Sequence, residues 1–202
     1  MSDIAIKHLS GNSVKPWIPD LARLRITVFR DFPYLYDGTT EYEENYLQTY
    51  VKSQDSIVVL ALDGDKVIGA STGLPMEDET TEFQQPFIDS GYEPGKIFYC
   101  AESVLLKEYR GRGVYKQFFT GREEHARNLG CFDWLSFCCV QRQADHPLRP
   151  TDYVPLDAIW TKFGYVKHPE LQASYDWKDV DQADETAHDM VFWLKPIQES
   201  QA

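Results

Sequence analysis

The residues best equipped for chemistry run Val104-Leu105-Leu106-Lys107-Glu108-Tyr109-Arg110-Gly111-Arg112-Gly113-Val114-Tyr115. An extended apolar run ends in a turn that carries Arg110, Gly111, Arg112 and Gly113, and an amphipathic stretch predicting a helix over 114–128 follows at once. A helix start offers unpaired N–H groups and a partial positive charge to an anion. Glycines allow positive φ and close backbone approach, and arginines add fixed charge with forked donors. Together these residues describe a phosphate cradle. A Walker loop needs Gly-Lys-Ser/Thr, whereas Gly69 is followed by Ala70-Ser71. A dinucleotide fingerprint needs a third glycine where Lys116 stands.

The turn is similar to the coenzyme A loop of the GNAT acetyltransferase superfamily, written (Arg/Gln)-x-x-Gly-x-(Gly/Ala). Arg110 and Gly113 fit its first and fourth positions. Tyr115 departs at the sixth, where a small residue is usual. The resemblance implies a mixed, mostly antiparallel sheet flanked by helices, with a central strand–phosphate turn–helix. It implies acetyl-CoA as cosubstrate, its phosphates on Arg110, Gly111, Arg112, Gly113, Val114 and Tyr115. Its pantetheine arm would pair with the backbone of the strand through Val104, Leu105 and Leu106. Transfer would go directly from thioester to amine, without a covalent enzyme intermediate. The bland alternative is a glycine-rich turn that binds nothing.

Such a transfer needs a group to take the amine proton and a group to supply one to the leaving thiolate. Glu102 is the sole acid in the apolar run 97–106 and is the candidate base; burial would raise its pKa toward a useful range. The family's usual acid is a Tyr four residues before the Gly of a Gly-Phe stop. That position is Trp160, which carries no useful proton. Tyr153, in the loop before the same helix, is the substitute candidate, with a loop anchor as its plainer role. Tyr165, Cys138 and Ser136 read as core.

The elements that must position these residues follow from periodicity. Residues 3–9 alternate weakly as a strand. Residues 17–32 have helical spacing, closed by Phe32-Pro33-Tyr34. Residues 40–51 predict a second helix with Thr40 and Glu43 as a capping box. Residues 56–62 and 66–72 flank Asp63-Gly64-Asp65 as a hairpin. Residues 75–95 read as a short helix and a loop, and 96–106 as one strand. After the helix over 114–128 come a strand over 131–140, a proline-rich loop, a helix over 156–162, and a strand pair at 173–178 and 190–195. This order resembles the GNAT order over nearly the whole chain, so 1–202 is expected to be a single domain.

Composition narrows the partners. The chain has 202 residues and a net charge of −12. That balance disfavours nucleic acid and anionic membranes as main partners. No apolar run approaches a membrane span, and Met1–His8 lacks the pattern of a signal peptide, so a cytoplasmic location is expected. Cys100, Cys131, Cys138 and Cys139 read as buried free thiols; Cys138 and Cys139, adjacent on one strand, point to opposite faces. The five histidines show no ligand spacing, and no metal is expected. Arg110, Arg112, Lys116 and Arg122 would form a local basic island for the coenzyme. Acidic clusters at 41–44, 77–82 and 179–189 would attract a cationic acceptor, with aromatics at 29–46 offering cation–π faces. The expectation is N-acetylation of a small, cationic primary amine. The alternatives are a non-catalytic acyl-CoA-binding or sensing domain, and a protein N-terminal or lysine acetyltransferase, whose peptide the 75–95 insertion would obstruct. A homodimer is left open.

Overall fold

Apolar residues buried on both sides set the centre of the sheet. The computed structural model describes residues 3–197. Ile57–Asp63 (β2) and Lys66–Pro75 (β3) pair as an antiparallel hairpin around Gly64 at φ 60°, with Val58, Val59, Leu60, Ile68 and Leu74 buried. Ile4–Leu9 (β1) pairs antiparallel with β2 at the outer edge. Beyond β3 lie Ile97–Tyr99 (β4), Trp134–Val140 (β6), Glu185–Pro196 (β8) and Val166–Lys178 (β7), where β6 runs parallel to β4 and the other pairs are antiparallel. Ser103–Leu105 (β5) pairs with β3 and lies off this path.

Helices cover both faces. On one lie Ile18–Phe29 (α1), Thr40–Tyr46 (α2), Gln48–Lys52 (α3) and Thr81–Asp89 (α4); on the other lie Val114–Leu129 (α5) and Asp157–Lys162 (α6). α1 turns Leu21, Ala22 and Leu24 inward at helical spacing and carries Pro19 in its first turn, where a missing N–H costs nothing. α5 approaches the sheet closely at Gly121, where a Cβ would stand 2.9 Å from Val59 and 3.0 Å from His8. Its end is set by Gly130 at φ 71°.

Several boundaries differ from the sequence expectation for physical reasons. Residues 11–17 form a 3₁₀ turn ahead of α1, which stops at Phe29. The stretch expected as one helix over 40–51 breaks at Leu47. Its cap is Thr39, whose side chain accepts from the Tyr42 amide at 3.3 Å, one residue before the predicted box. The closing strands are longer than predicted because each extends the other's ladder from Val166↔Leu194 to Lys178↔Glu185. Residues 96–106 are two strands rather than one, and that break shapes the site.

Candidate active site

β4 and β5 separate because β6 follows a different partner. The Cys100 amide bonds the Ser136 carbonyl at 2.7 Å, after which β6 continues on β8 alone while β5 stays on β3. A gap opens between β5 and β6. In the β3–β5 register the amides of Leu106 and Thr72 bond to Ile68 and Glu102 carbonyls, at 3.0 and 3.1 Å. The alternation of an antiparallel ladder therefore turns the backbone groups of Ser103 and Leu105 away from β3 and toward the gap. Of the predicted strand residues, Leu105 presents its backbone there. The amide of Leu106 is spent on β3, and the register places that of Val104 on β3 too.

The break is held from below by Arg122 on α5. Its guanidinium is buried and donates to the carbonyls of Glu102 at 2.9 Å and Thr72 at 3.4 Å. This corrects the expected basic island, of which Arg122 is no part. Its charge serves backbone groups inside the protein.

At the near end of the gap lies the turn expected to cradle phosphate. Gly111 and Gly113 have φ 76° and 80°, and a Cβ on either would meet nothing within 4 Å. Both glycines answer a backbone requirement, and the space above them is open. The first amides taken up inside α5 are those of Lys116 and Gln117, on the Gly113 carbonyl, so the Val114 and Tyr115 amides stand free of the helix ladder. Arg110 reaches back to the Leu105 carbonyl through Nε at 3.4 Å, and Arg112 donates to the Glu108 carbonyl at 3.0 Å above the Tyr109 ring. All four turn residues are exposed.

The face covered by α1–α4 carries a cluster of carboxylates and phenols. Glu102 is buried and pairs with the Arg25 guanidinium at 2.6 Å, and Arg25 also pairs with buried Glu43. The Tyr46 and Tyr50 hydroxyls approach Glu102 at 3.5 and 3.4 Å and each other at 3.0 Å. The Tyr99 hydroxyl and the Cys138 thiol lie 3.1 Å apart across β4 and β6, and burial pushes that thiol up to about 12. Glu79, just ahead of α4, faces the same cluster. Burial first, and the negative charge of Glu102 next, push its carboxyl up to about 7. α4 roofs the cluster with Phe83, which packs on Tyr99 at 5.1 Å and stacks on Tyr175 at 4.3 Å. The sequence placed Glu79 in an acidic run without singling it out. No local signal marks it, because its perturbation comes from burial and then from Glu102 on another element, both supplied by the fold.

The opposite face, under α5 and α6, holds Tyr115 and Trp160. The Trp160 indole N–H donates to the Tyr115 hydroxyl at 2.9 Å. Trp160 packs on Phe137 of β6 and Trp193 of β8. Tyr153 lies elsewhere, edge-on to Phe32 at 4.7 Å and beneath Arg149 at 5.0 Å, at the rim formed by the loop after β6. Tyr165 and Ser136 are core as expected.

Two acidic clusters also contain internal members. Glu43 is consumed by Arg25. Asp179 is buried and held by Arg142 through two bonds of 2.7 and 2.8 Å, while Arg142 donates further to the Pro33 and Tyr34 carbonyls at 2.7 Å each. This clamp ties the loop after α1 to the β7–β8 hairpin. The four cysteines are free, but Cys131 is exposed and Cys139 half-buried, against the expectation that all are buried.

The profile of the acetyltransferase (GNAT) family matches residues 21–149. The chain belongs to the GNAT family. Solved GNAT structures share its fold along almost their whole length. An N-acetyltransferase from Staphylococcus aureus Mu50 superposes with a TM-score of 0.61 at 11% identity, over 98% of this chain and 100% of that one. The protein yncA of Salmonella typhimurium, solved with its cofactor acetyl-CoA, gives 0.59 at 11%, over 100% and 98%. Arabidopsis thaliana NAA60, in complex with a bisubstrate analogue, gives 0.60 at 12%, over 98% and 100%. At such identities the likeness is one of fold. No protein of curated function matches the sequence. The mixed, mostly antiparallel sheet flanked by helices, with its strand–turn–helix centre, is the GNAT architecture expected from the sequence. Among the described residues no group of three or more His, Cys, Asp or Glu could hold a metal, and no helix is long and apolar enough to cross a membrane.

Proposed function

We propose that this GNAT protein transfers the acetyl group of acetyl-CoA to the primary amine of a small, cationic molecule, acting as one domain. The observation that supports the reading is the β5–β6 gap, with the Arg110–Gly113 turn after β5 and the carboxylate–phenol cluster at Glu102 before it. The pyrophosphate would sit on the free amides of Val114 and Tyr115 and on Arg110 and Arg112, in the space that Gly111 and Gly113 leave open. The pantetheine arm would bond the Ser103 and Leu105 backbone, beside Val104 and Leu106.

The amine would enter from the α4 side. Its nitrogen must be neutral to attack the thioester carbonyl carbon, so a proton must leave it first. The Glu79–Glu102 pair receives that proton. Glu102 is paired with Arg25, and burial with the charge of Glu102 pushes the Glu79 carboxyl up to about 7, which suits it to take the proton near neutral pH. A cationic acceptor would be drawn by the same pair and by the exposed acids of the surface. Phe83 and Tyr175 roof the cluster, which favours a small acceptor over an extended peptide. Tyr153, on the rim with Phe32, would wall the acceptor entrance.

Trp160, standing where a phenol is usual, favours a second reading as an acyl-CoA binder without catalysis. Free thiol released from acetyl-CoA with a panel of amines separates the two. Amine-dependent release supports transfer, and binding without release supports the second reading.

A further inference from the structure

The departing coenzyme A thiolate needs a proton, and the position expected to supply it carries an indole. The two departures from the family pattern, Tyr115 in the turn and Trp160 in α6, are joined by one hydrogen bond of 2.9 Å. We propose that the Tyr115 hydroxyl donates the proton taken up by the leaving thiolate, and that Trp160 is the positioning residue that aims it. This rests on the acetyl-transfer reading above.

The placement carries the argument. Tyr115 is the second residue of α5, directly after the phosphate turn. Trp160 packs on Phe137 and Trp193, so its indole belongs to the β6–β8 side. The bond between them therefore spans from the start of α5 to β6, under the gap where β5 and β6 have parted. On the acetyl-transfer reading, an arm reaching from the turn into the gap would run beside the first turn of α5, which carries this hydroxyl. The Cys139 thiol of β6, beyond the point of divergence, is near enough to act on the phenol electrostatically.

The hydrogen-bond inventory agrees. A phenol that accepts from an indole N–H keeps its own O–H to give. Phe119 and Phe163 flank the ring, at 5.1 and 6.3 Å, and confine it. The charged or titratable groups acting on it are Arg122 on its own helix and Cys139 on β6, and Tyr34 from the loop after α1 faces it as well. Burial dominates and raises its pKa, so it stays protonated at neutral pH. In the step, the amine nitrogen bonds the carbonyl carbon and the carbon–sulfur bond breaks. Sulfur takes the Tyr115 proton, water returns one to the phenolate, and the amine's proton leaves through Glu79–Glu102.

The test measures thiol release and coenzyme A affinity for wild type, Tyr115→Phe, Trp160→Phe, Tyr153→Phe and the double variant Tyr115→Phe/Trp160→Tyr. Tyr115→Phe is expected to lower kcat by about 10²-fold with KM for acetyl-CoA and coenzyme A affinity near wild type, and to remove the basic limb of the pH–rate profile. Trp160→Phe should lower kcat less and shift that limb. The double variant, which offers a phenol from the other side of the same bond, should recover much of the loss. Wild-type kcat with an unchanged profile in Tyr115→Phe overturns the proposal. So does an equal loss in kcat and coenzyme A affinity, which would make Tyr115 a packing residue, or a comparable loss in Tyr153→Phe with none in Tyr115→Phe. Absence of thiol release in the wild type itself is the failure of the transfer reading, and the proposal falls with it.

Discussion

Gly113 and Arg110 make separate contributions to the proposed phosphate turn. Gly113 supplies a left-handed backbone with open space above it, and Arg110 supplies charge. Replacing Gly113 by Val would force a β-branched residue to φ 80° and set a side chain in the cradle. Arg110→Ala would remove a charge-assisted contact worth about 1.5–3 kcal/mol. Calorimetry with coenzyme A should show weaker binding in both, and unchanged affinity in both would remove the cradle assignment. The carboxylates can be separated by pH. Glu79→Gln should abolish the acidic limb of the rate profile and lower turnover about 10²-fold. Glu102→Gln removes the negative charge that, after burial, holds Glu79 up, so the limb should move to lower pH. A limb untouched by either change would place the base elsewhere. The turn was legible in the sequence because its demands are local: glycine for positive φ, arginine for charge, a helix directly after. Glu79 and Arg25 were not, because what makes them matter is burial and the charge of Glu102 for the first and the ion pair with Glu102 for the second, which only the fold supplies.

The split between β4 and β5 was hidden for a similar reason at the level of elements. Residues 96–106 form one apolar run, and nothing in them records that β6 will leave for β8. The trace was Arg122, buried in α5 beside Val114, Phe118, Phe119 and Ala126, a residue that composition alone assigns to the surface. The β7–β8 hairpin shows the same limit. Its long ladder was read short because acidic, exposed residues alternate along it, and Asp179 looked like one more surface acid. Buried against Arg142, it fastens the loop after α1 to the hairpin. Arg142→Met would remove the charge that compensates buried Asp179 and leave it the Trp177 indole N–H at 3.0 Å and His188 at 3.4 Å; breaking a buried pair of this kind costs about 3–5 kcal/mol. Chemical denaturation of Arg142→Met should show a loss on that scale. A change within experimental error would mean that the loop is held by other contacts.

The molecule as a whole is strongly acidic, yet several of its acids are spent internally on Arg25 and Arg142, so net charge overstates what an acceptor meets. One acid has a global signature. The Glu79 carboxyl rises from 4.5 to about 7 on folding. A carboxyl raised in this way favours folding below its unfolded pKa, and that contribution is lost as pH rises from about 4.5 to about 7, by at most about 3 kcal/mol. Glu79→Gln should therefore gain stability over wild type at pH 8 and little at pH 5 in paired melting curves, and an equal shift at both would assign the effect to packing. The order of elements was read nearly in full from periodicity and turn residues, because each strand and helix is locally consistent with its place. The proposed acceptor site was not, since the carboxylate–phenol cluster is assembled from α1, α2, the residues ahead of α4 and the β4–β5 break together. The most direct measurement is thiol release from acetyl-CoA by the purified protein with a panel of cationic, neutral and anionic amines at low and high salt. Release with polyamine-like or aminoglycoside-like amines, well above that with anionic amino acids and weakened by salt, is the predicted result. A preference for anionic acceptors at low salt, or no release with any amine, would contradict it.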